Sequence, residues 1–297
     1  MGRHMSIRTL ADLHLHSKLS DGLHAPSRLV AMAAGMNLGG IALTDHDTLD
    51  GLPEFMTTDG PAWLVRVPGV EISTYYKERE THILGYFVPE RTKKLKNRLL
   101  YLEESRKKRF PKMLRKLNDL GITITQDEIE PVLCGVKAPG RPHLARVLVM
   151  KGIVKDYVEA FDTYLGEGKP AYVERDMIDT KEAIALLRNE DAVPVLAHPL
   201  TMGLDNLREV LTDMRKAGLL GVEVKYVYDH VHISSDGNRV QEAASGLGLI
   251  ETGGSDHHGD DSRCLIGEVT VPLGVIDALK EASKDLGGDA VRAWARP

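Results

Sequence analysis

From Leu10 to Tyr86 short apolar runs alternate with helical stretches. "LADLHLHS" reads as a strand, "APSRLVAMAAGMN" as a helix with Pro26 and Ser27 near its start, and "GGIALTDHD" as a second strand. "WLVRVPGVEIS" and "THILGYFV" give two more. The rhythm returns at Thr180, with helices at "TKEAIALLRNE", "NLREVLTDMRKAG" and "GNRVQEAASGLG" and strands at "AVPVLAHP", "LGVEVKY" and "LIETGGSDHHG". Strands alternating with helices predict parallel βα units. Between them the pattern changes. Leu95, Leu99 and Leu102 recur at helical spacing, and "FPKMLRKLNDLG" gives a second helix closed at Gly121. Thr125 and Glu128 suit a capping box opening a third, and "RPHLARVLVMKG" gives a fourth. The expected organisation is an α/β barrel in two parts, 6–90 and 180–285, split by a helical insertion at 91–179 and followed by a tail at 286–297.

Apolar residues make up 42% and charged residues 27% of the 297, which is ordinary for a soluble globular chain. There is no run of about 18 apolar residues, so no membrane span is expected, and no signal peptide is evident. "MGRHM" reads as an expression scar, which removes His4 from consideration. Cys134 and Cys264 form no zinc-type pair and no disulfide framework, so a reducing cytoplasm is the expected setting. Charge is unevenly spread: residues 91–116 hold 12 Lys/Arg against Glu103 and Glu104, a local +10, so the rest carries −15 against the overall −5. Such a run either attracts anions or is a solvated helix face.

The histidines change the picture most. On a strand, residues two apart share a face, so Asp12, His14 and His16 lie together opposite Leu13 and Leu15. Polar groups facing a barrel interior need partners. Later strand ends repeat the theme with Asp45, His46, Asp47, Glu71, His82, His198, Asp256, His257 and His258. Barrel enzymes gather their active sites at that end. Imidazoles and carboxylates without thiolate suit zinc, manganese or iron. Glu71 could bridge two ions, and a metal pair at such a site activates water for phosphoester hydrolysis. The chain has no GxSxG and no placed thiol, so no covalent intermediate is expected.

"DLHLHSKLSDG", "IALTDHDTLDGL", "PGVEIS", "THILGY", "LAHP" and "TGGSDHHG", in that order, resemble the successive motifs of the PHP (polymerase and histidinol phosphatase) phosphoesterases. The resemblance covers nearly the whole chain. It implies a distorted (β/α)7 barrel holding two to three divalent metal ions (Mn, Zn or Fe), and resemblance to one branch of the family implies that the helical insertion caps the metal site. By motif, His14, His16, Glu71 and Asp256 would hold the first metal. Glu71, His82 and His198 would hold the second, and Asp21, His46 and His258 the third. Asp21 stands where some members have histidine, which suggests a weaker third site or a harder ion. His257 stands where an aromatic is expected, as a pocket-wall residue. Asp12 and Asp45 are expected behind the ligands, Asp12 orienting a histidine.

"GRPHLARVL" and "FDTYLGEGKPAYV" resemble the nucleotide-acting branch of that family, phosphatases of 3′,5′-nucleoside bisphosphates and 5′→3′ exonucleases of short RNA. This implies a phosphate-ester substrate gripped by Arg141, His143, Arg146 and Lys169. Attack by a hydroxide bridging two metals is the expected chemistry, with the leaving alkoxide stabilised by a metal or by a protonated neighbour such as His143 as general acid. Histidinol phosphate or another small phosphomonoester is the alternative substrate. A C–N metallohydrolase and a noncatalytic module that binds a polymerase or nucleic acid are further alternatives. No protein partner is otherwise expected.

Overall fold

The computed structural model describes residues 7–229, 233, 238–260 and 264–288. The "MGRHM" start, the first residue of the expected barrel, Gly237 of the expected helix and the tail from 289 onward lie outside the described residues.

The strands are β1 (Leu10–Leu15), β2 (Gly40–Leu43), β3 (Val65–Tyr76), β4 (Arg79–Tyr86), β5 (Ile178–Asp179), β6 (Val193–Leu196), β7 (Gly221–Lys225), β8 (Ile250–Gly253) and β9 (Val271–Pro272). They form one sheet ordered β8-β7-β6-β4-β3-β2-β1-β9, with β5 paired to β3. A parallel bridge from Leu15 to His257, just past β8, brings β1 back to β8 and nearly closes the barrel. Helices α1 (Pro26–Gly35), α2 (Leu52–Thr57), α7 (Thr180–Arg188), α8 (Leu207–Lys216), α9 (Arg239–Ala244) and α10 (Gly274–Asp285) accompany the strands, and α3 to α6 belong to the insertion.

Two arrangements depart from the sequence expectation. β3 and β4 pair antiparallel, and β4 pairs antiparallel with β6, so the sheet is mixed. Only Lys77 and Glu78 join β3 to β4, both at positive φ (46° and 62°). A two-residue turn of that hand makes a hairpin, whereas a parallel crossover needs a dozen or more residues. The two helices expected before Gly121 are one, α3 (Lys93–Asp119), which carries Pro111 inside it. Its buried apolar positions run Leu95, Leu99, Leu102, Phe110, Met113 and Leu117, so one stripe persists across the proline.

That stripe joins two cores. Leu95, Leu99 and Leu102 pack into the barrel cluster, whereas Phe110, Met113 and Leu117 pack with α4 (Gln126–Leu133), α5 (Arg141–Met150) and α6 (Tyr157–Ala160) in a second cluster. Each fully buried leucine of this kind contributes about 1.5–3 kcal/mol. α3 ends with Gly121 at φ 81° and Ile122 N–H bonded to the Leu117 carbonyl at 3.0 Å. The Thr125–Glu128 capping box opens α4. Where α3 passes between the cores, Arg106 reaches Asp47 (2.7 Å) and Ser73 Oγ (3.0 Å), and Arg109 lies over the Tyr172 ring. No helix among the described residues is long and apolar enough to cross a membrane.

Candidate metal centre

β1 brings His14 into the barrel with Leu13 and Leu15 on its other face, and His16 follows at the strand's end; all four are fully buried. His46, His198, Asp256 and His258 follow the C-terminal ends of β2, β6 and β8. Glu71 is on β3, and His82, opposite Ser73, comes from β4. Because β4 runs antiparallel, its first half lies at the same end of the barrel as the others' last residues. His198 (φ 23°), Asp256 (53°) and Asp47 (53°) hold left-handed backbone, which costs about 1–3 kcal/mol each and gathers at functional sites.

The Glu71 carboxylate is fully buried at the centre. Its Oε2 lies 3.2 Å from His14 Nε2, 3.1 Å from His16 Nε2 and 3.1 Å from His46 Nδ1. Its Oε1 lies 2.8 Å from His82 Nδ1 and 3.0 Å from His198 Nε2. Asp256 Oδ1 approaches His16 Nε2 at 3.1 Å, and Asp21 Oδ1 approaches His258 Nε2 at 3.2 Å. Three groups have their ligand atoms close enough for one ion each: His14, His16, Glu71 and Asp256; His16, Asp21, His46 and His258; and His46, Glu71 and His82. His198 meets the last group through Glu71 and through His82 Nδ1 at 3.3 Å. His257 is outside all three. Its ring stacks on His24 at 5.7 Å and its Nδ1–H donates to the Cys264 carbonyl at 3.1 Å.

These residues fit divalent cations. His16 Nδ1 and Nε2, both Asp21 oxygens, His46 Nδ1 and His258 Nε2 are buried without a hydrogen-bond partner. Convergent lone pairs left orphaned in this way are what a cation satisfies. Several rings have their other nitrogen fixed, leaving Nε2 free to coordinate. His14 Nδ1–H donates to Glu223 Oε1 (3.0 Å), His198 Nδ1–H to Thr201 Oγ1 (3.1 Å) and His258 Nδ1–H to the Asp256 carbonyl (2.7 Å). Burial alone would lower the His16 pKa, but the Asp256 and Glu71 carboxylates, each 3.1 Å from its Nε2, outweigh it and raise it to about 9. His82 reaches about 9 through Glu71 and Glu80, against the same opposing burial. Glu71 is held well below the usual carboxylate range by the rings of His46, His82 and His14, although its burial works the other way.

The carboxylates behind the ligands grip backbone. Asp12 accepts from Ser255 N–H (2.9 Å), Ser255 Oγ–H (2.6 Å) and Gly267 N–H (2.8 Å). It thus ties β1 to the loop after β8 rather than orienting a histidine ring. Burial pushes its pKa up to about 6 despite these bonds. Asp45 accepts from the Ser17 amide (2.7 Å) and from the hydroxyls of Ser17 (2.7 Å) and Ser20 (2.6 Å), fixing the loop that carries Asp21.

Arg141 ion-pairs with Glu80 at 2.6 Å and lines a cavity of 340 Å³ with His82, His198, Phe161, Tyr226 and Asp256. Arg146 is occupied by the protein, donating to Tyr157 Oη (2.9 Å), the Asp21 carbonyl and Asp260 (3.1 Å each). Lys169 is exposed. His143 is buried, and its Nδ1 accepts from Gly140 N–H at 3.1 Å, which places the ring proton on Nε2. Burial, with Arg146 and Arg106, lowers its pKa to about 4. The expected general acid is therefore a neutral hydrogen-bond donor near pH 7.

Sequence reasoning missed five groups. Glu223 on β7 is a lone carboxylate in an apolar strand, a signal that strand parity could have flagged. Tyr226 Oη–H donates to Asp256 Oδ2 at 2.8 Å. Arg106 ion-pairs with Asp47 at 2.7 Å, and Arg175 with the same oxygen at 3.3 Å. Arg109 is buried with Nε and Nη2 unpartnered. These arginines were hidden in a basic run and a loop without periodicity.

Residues 12–130 match the PHP domain. A Haemophilus influenzae 5′-3′ exoribonuclease is 33% identical over 215 residues, which cover 72% of this chain and 78% of that one. A Chromobacterium violaceum 3′,5′-nucleoside bisphosphate phosphatase is 31% identical over 249 residues, covering 83% and 86%. A Bifidobacterium adolescentis structure, provisionally described as a metal-dependent phosphoesterase, superposes with a TM-score of 0.80 at 26% identity, covering 92% of this chain and 96% of that one.

Proposed function

The chain belongs to the PHP-domain family, and from that premise we propose that it is a metal-dependent phosphoesterase acting on nucleotides, with the 3′-phosphate of a nucleoside 3′,5′-bisphosphate or short 5′-phosphorylated RNA as substrate. One observation carries this reading: the two oxygens of Glu71 face different sets of imidazoles, the geometry of a bridging carboxylate. His14, His16, Glu71 and Asp256 would hold one ion, Glu71, His82 and His198 a second, and Asp21, His46 and His258 a third. The bound metals, Mn, Zn or Fe, would supply a water made nucleophilic at neutral pH and neutralise charge developing on phosphoryl oxygens.

The chain's own groups do the rest. Arg141, at the cavity wall, offers a fork that matches phosphate oxygens. Arg106, Arg109 and Arg175 set a positive field beside it, since Asp47 and Glu80 offset only part of four guanidinium charges. Phe161 and Tyr226 line the same cavity with flat apolar surface suited to a nucleobase. The neutral His143 Nε2–H, unpartnered and buried, is a fixed donor for an incoming oxygen. These features, with the names of the relatives, favour a nucleotide over histidinol phosphate.

A manganese-supplemented panel of nucleoside 3′,5′-bisphosphate, 5′-phosphorylated RNA and histidinol phosphate tests this. Phosphate or nucleotide release is expected from the first two. Turnover of histidinol phosphate with neither nucleotide substrate cleaved would overturn the assignment.

A further inference from the structure

β7 carries a carboxylate that no motif singled out. Glu223 is fully buried, and among the described residues no lysine or arginine pairs with it. A buried carboxylate without a fixed cation is costly, so its partners must account for it. They are unusual in belonging to two different parts of the site. Glu223 Oε1 accepts Nδ1–H of His14 at 3.0 Å, and Oε2 accepts the backbone N–H of His198 at 2.8 Å.

We propose that Glu223 is a positioning residue that sets His14 and His198 as one unit, so that the ligands on the two oxygens of Glu71 are ordered together. This rests on the metal-centre reading above. With its Nδ1–H committed to Glu223, the His14 ring presents only the Nε2 lone pair, 3.2 Å from Glu71 Oε2 and 3.5 Å from Asp256 Oδ1. His198 needs a different kind of help. Its backbone is in left-handed territory at φ 23°, ψ 60°, and the Glu223 bond to its amide holds it there. Thr201 then fixes its ring, whose Nε2 faces Glu71 Oε1 at 3.0 Å. The two rings, drawn from β1 and the turn after β6, stack at 5.8 Å and 17°, as a shared anchor would produce. One carboxylate thus fixes a tautomer on one side of Glu71 and a backbone conformation on the other.

Glutamine cannot replace it. Glu223→Gln keeps the volume but turns one acceptor into a donor, so either His14 Nδ1–H or His198 N–H faces another donor. Glu223→Asp keeps the charge but is one methylene too short to reach both. The experiment titrates manganese into chelator-stripped wild type, E223Q and E223D, following heat of binding and the manganese-induced rise in melting temperature. For E223Q the affinity is expected to fall roughly 10–100-fold, the usual effect of losing such an outer partner. The metal-induced rise should shrink while the melting temperature in chelator stays within a few degrees or increases. E223D should be weaker than wild type, and it carries the test should E223Q fail to fold. Wild-type affinity in the folded variants would overturn the proposal. So would a lower chelated melting temperature with an unchanged metal-induced rise, since that describes a merely structural residue. Wild type that binds no manganese would refute the metal-centre reading itself. Wild type that binds, with variants that bind equally, would remove only Glu223's role.

Discussion

Glu71 Oε2 lies 3.2 Å from His14 Nε2 with both side chains fully buried, although 57 residues separate them in sequence. Convergence of β1 and β3 on the barrel interior, with β2 between them, creates this pair rather than local sequence. The same carboxylate touches four other rings, His16 beside His14 and three on other segments, and it is the common member of two of the three ligand groups.

Glu71→Gln should therefore disturb more than one ion. The amide keeps the shape but removes the charge and replaces one metal-facing oxygen with an NH2 that cannot ligate a cation. Metal content measured by elemental analysis should fall, and hydrolysis should drop by more than the roughly 10–100-fold typical of an outer partner. Wild-type metal content together with wild-type activity would refute the assigned centre.

As pH rises the metal-free fold should lose stability while metal binding tightens. In the metal-free chain His16 and His82 have pKa values raised to about 9, above the unfolded value near 6.5. Their protonated forms thus stabilise the fold fully below about pH 6.5, and that contribution is lost as pH rises through about 9. Coordination requires the neutral rings, so manganese affinity should increase over the same window. Denaturant midpoints in chelator should fall between pH 6.5 and 9, and the gap between manganese and chelator should widen. A chelated midpoint that rises with pH would contradict the arrangement.

The ligands were legible because strand alternation and strand-end position constrain them strongly: His14 and His16 announce a face, and Asp256 and His258 a loop. The hairpin was not, since "YYKERETH" shows a short polar break and only the backbone reveals that Lys77 and Glu78 turn the chain back. Arg106 and Arg109 were illegible for another reason. In a run of 12 basic residues nothing local tells a guanidinium facing the site from one facing water. That difference is set by which face of α3 the two cores claim.

Pro111 lies inside the single helix α3, and its tolerance there has a measurable consequence. It is exposed, so its ring contributes little packing, while it removes the amide that would bond the Lys107 carbonyl. Pro111→Ala should stabilise the protein by about 1–3 kcal/mol in denaturant unfolding. Destabilisation would instead mean that the proline's fixed backbone helps to carry α3 from one core to the other.

Arg109 should show function opposing stability. It is buried, its Nε and Nη2 lack partners, and its guanidinium lies 5.4 Å over the Tyr172 ring, a ring that Arg141 also approaches at 5.9 Å. Burial, then the like charges of Arg141 and Arg175, lowers its pKa to about 9. An unmet buried donor costs about 1–3 kcal/mol, so the chain carries a penalty here that a bound phosphate would relieve. Arg109→Met fills similar volume with no polar atom. Its melting temperature should rise, while KM for a nucleoside 3′,5′-bisphosphate should increase about tenfold or more and kcat change less. A lower melting temperature with unchanged KM would show that Arg109 serves the packing of α3 and not the substrate.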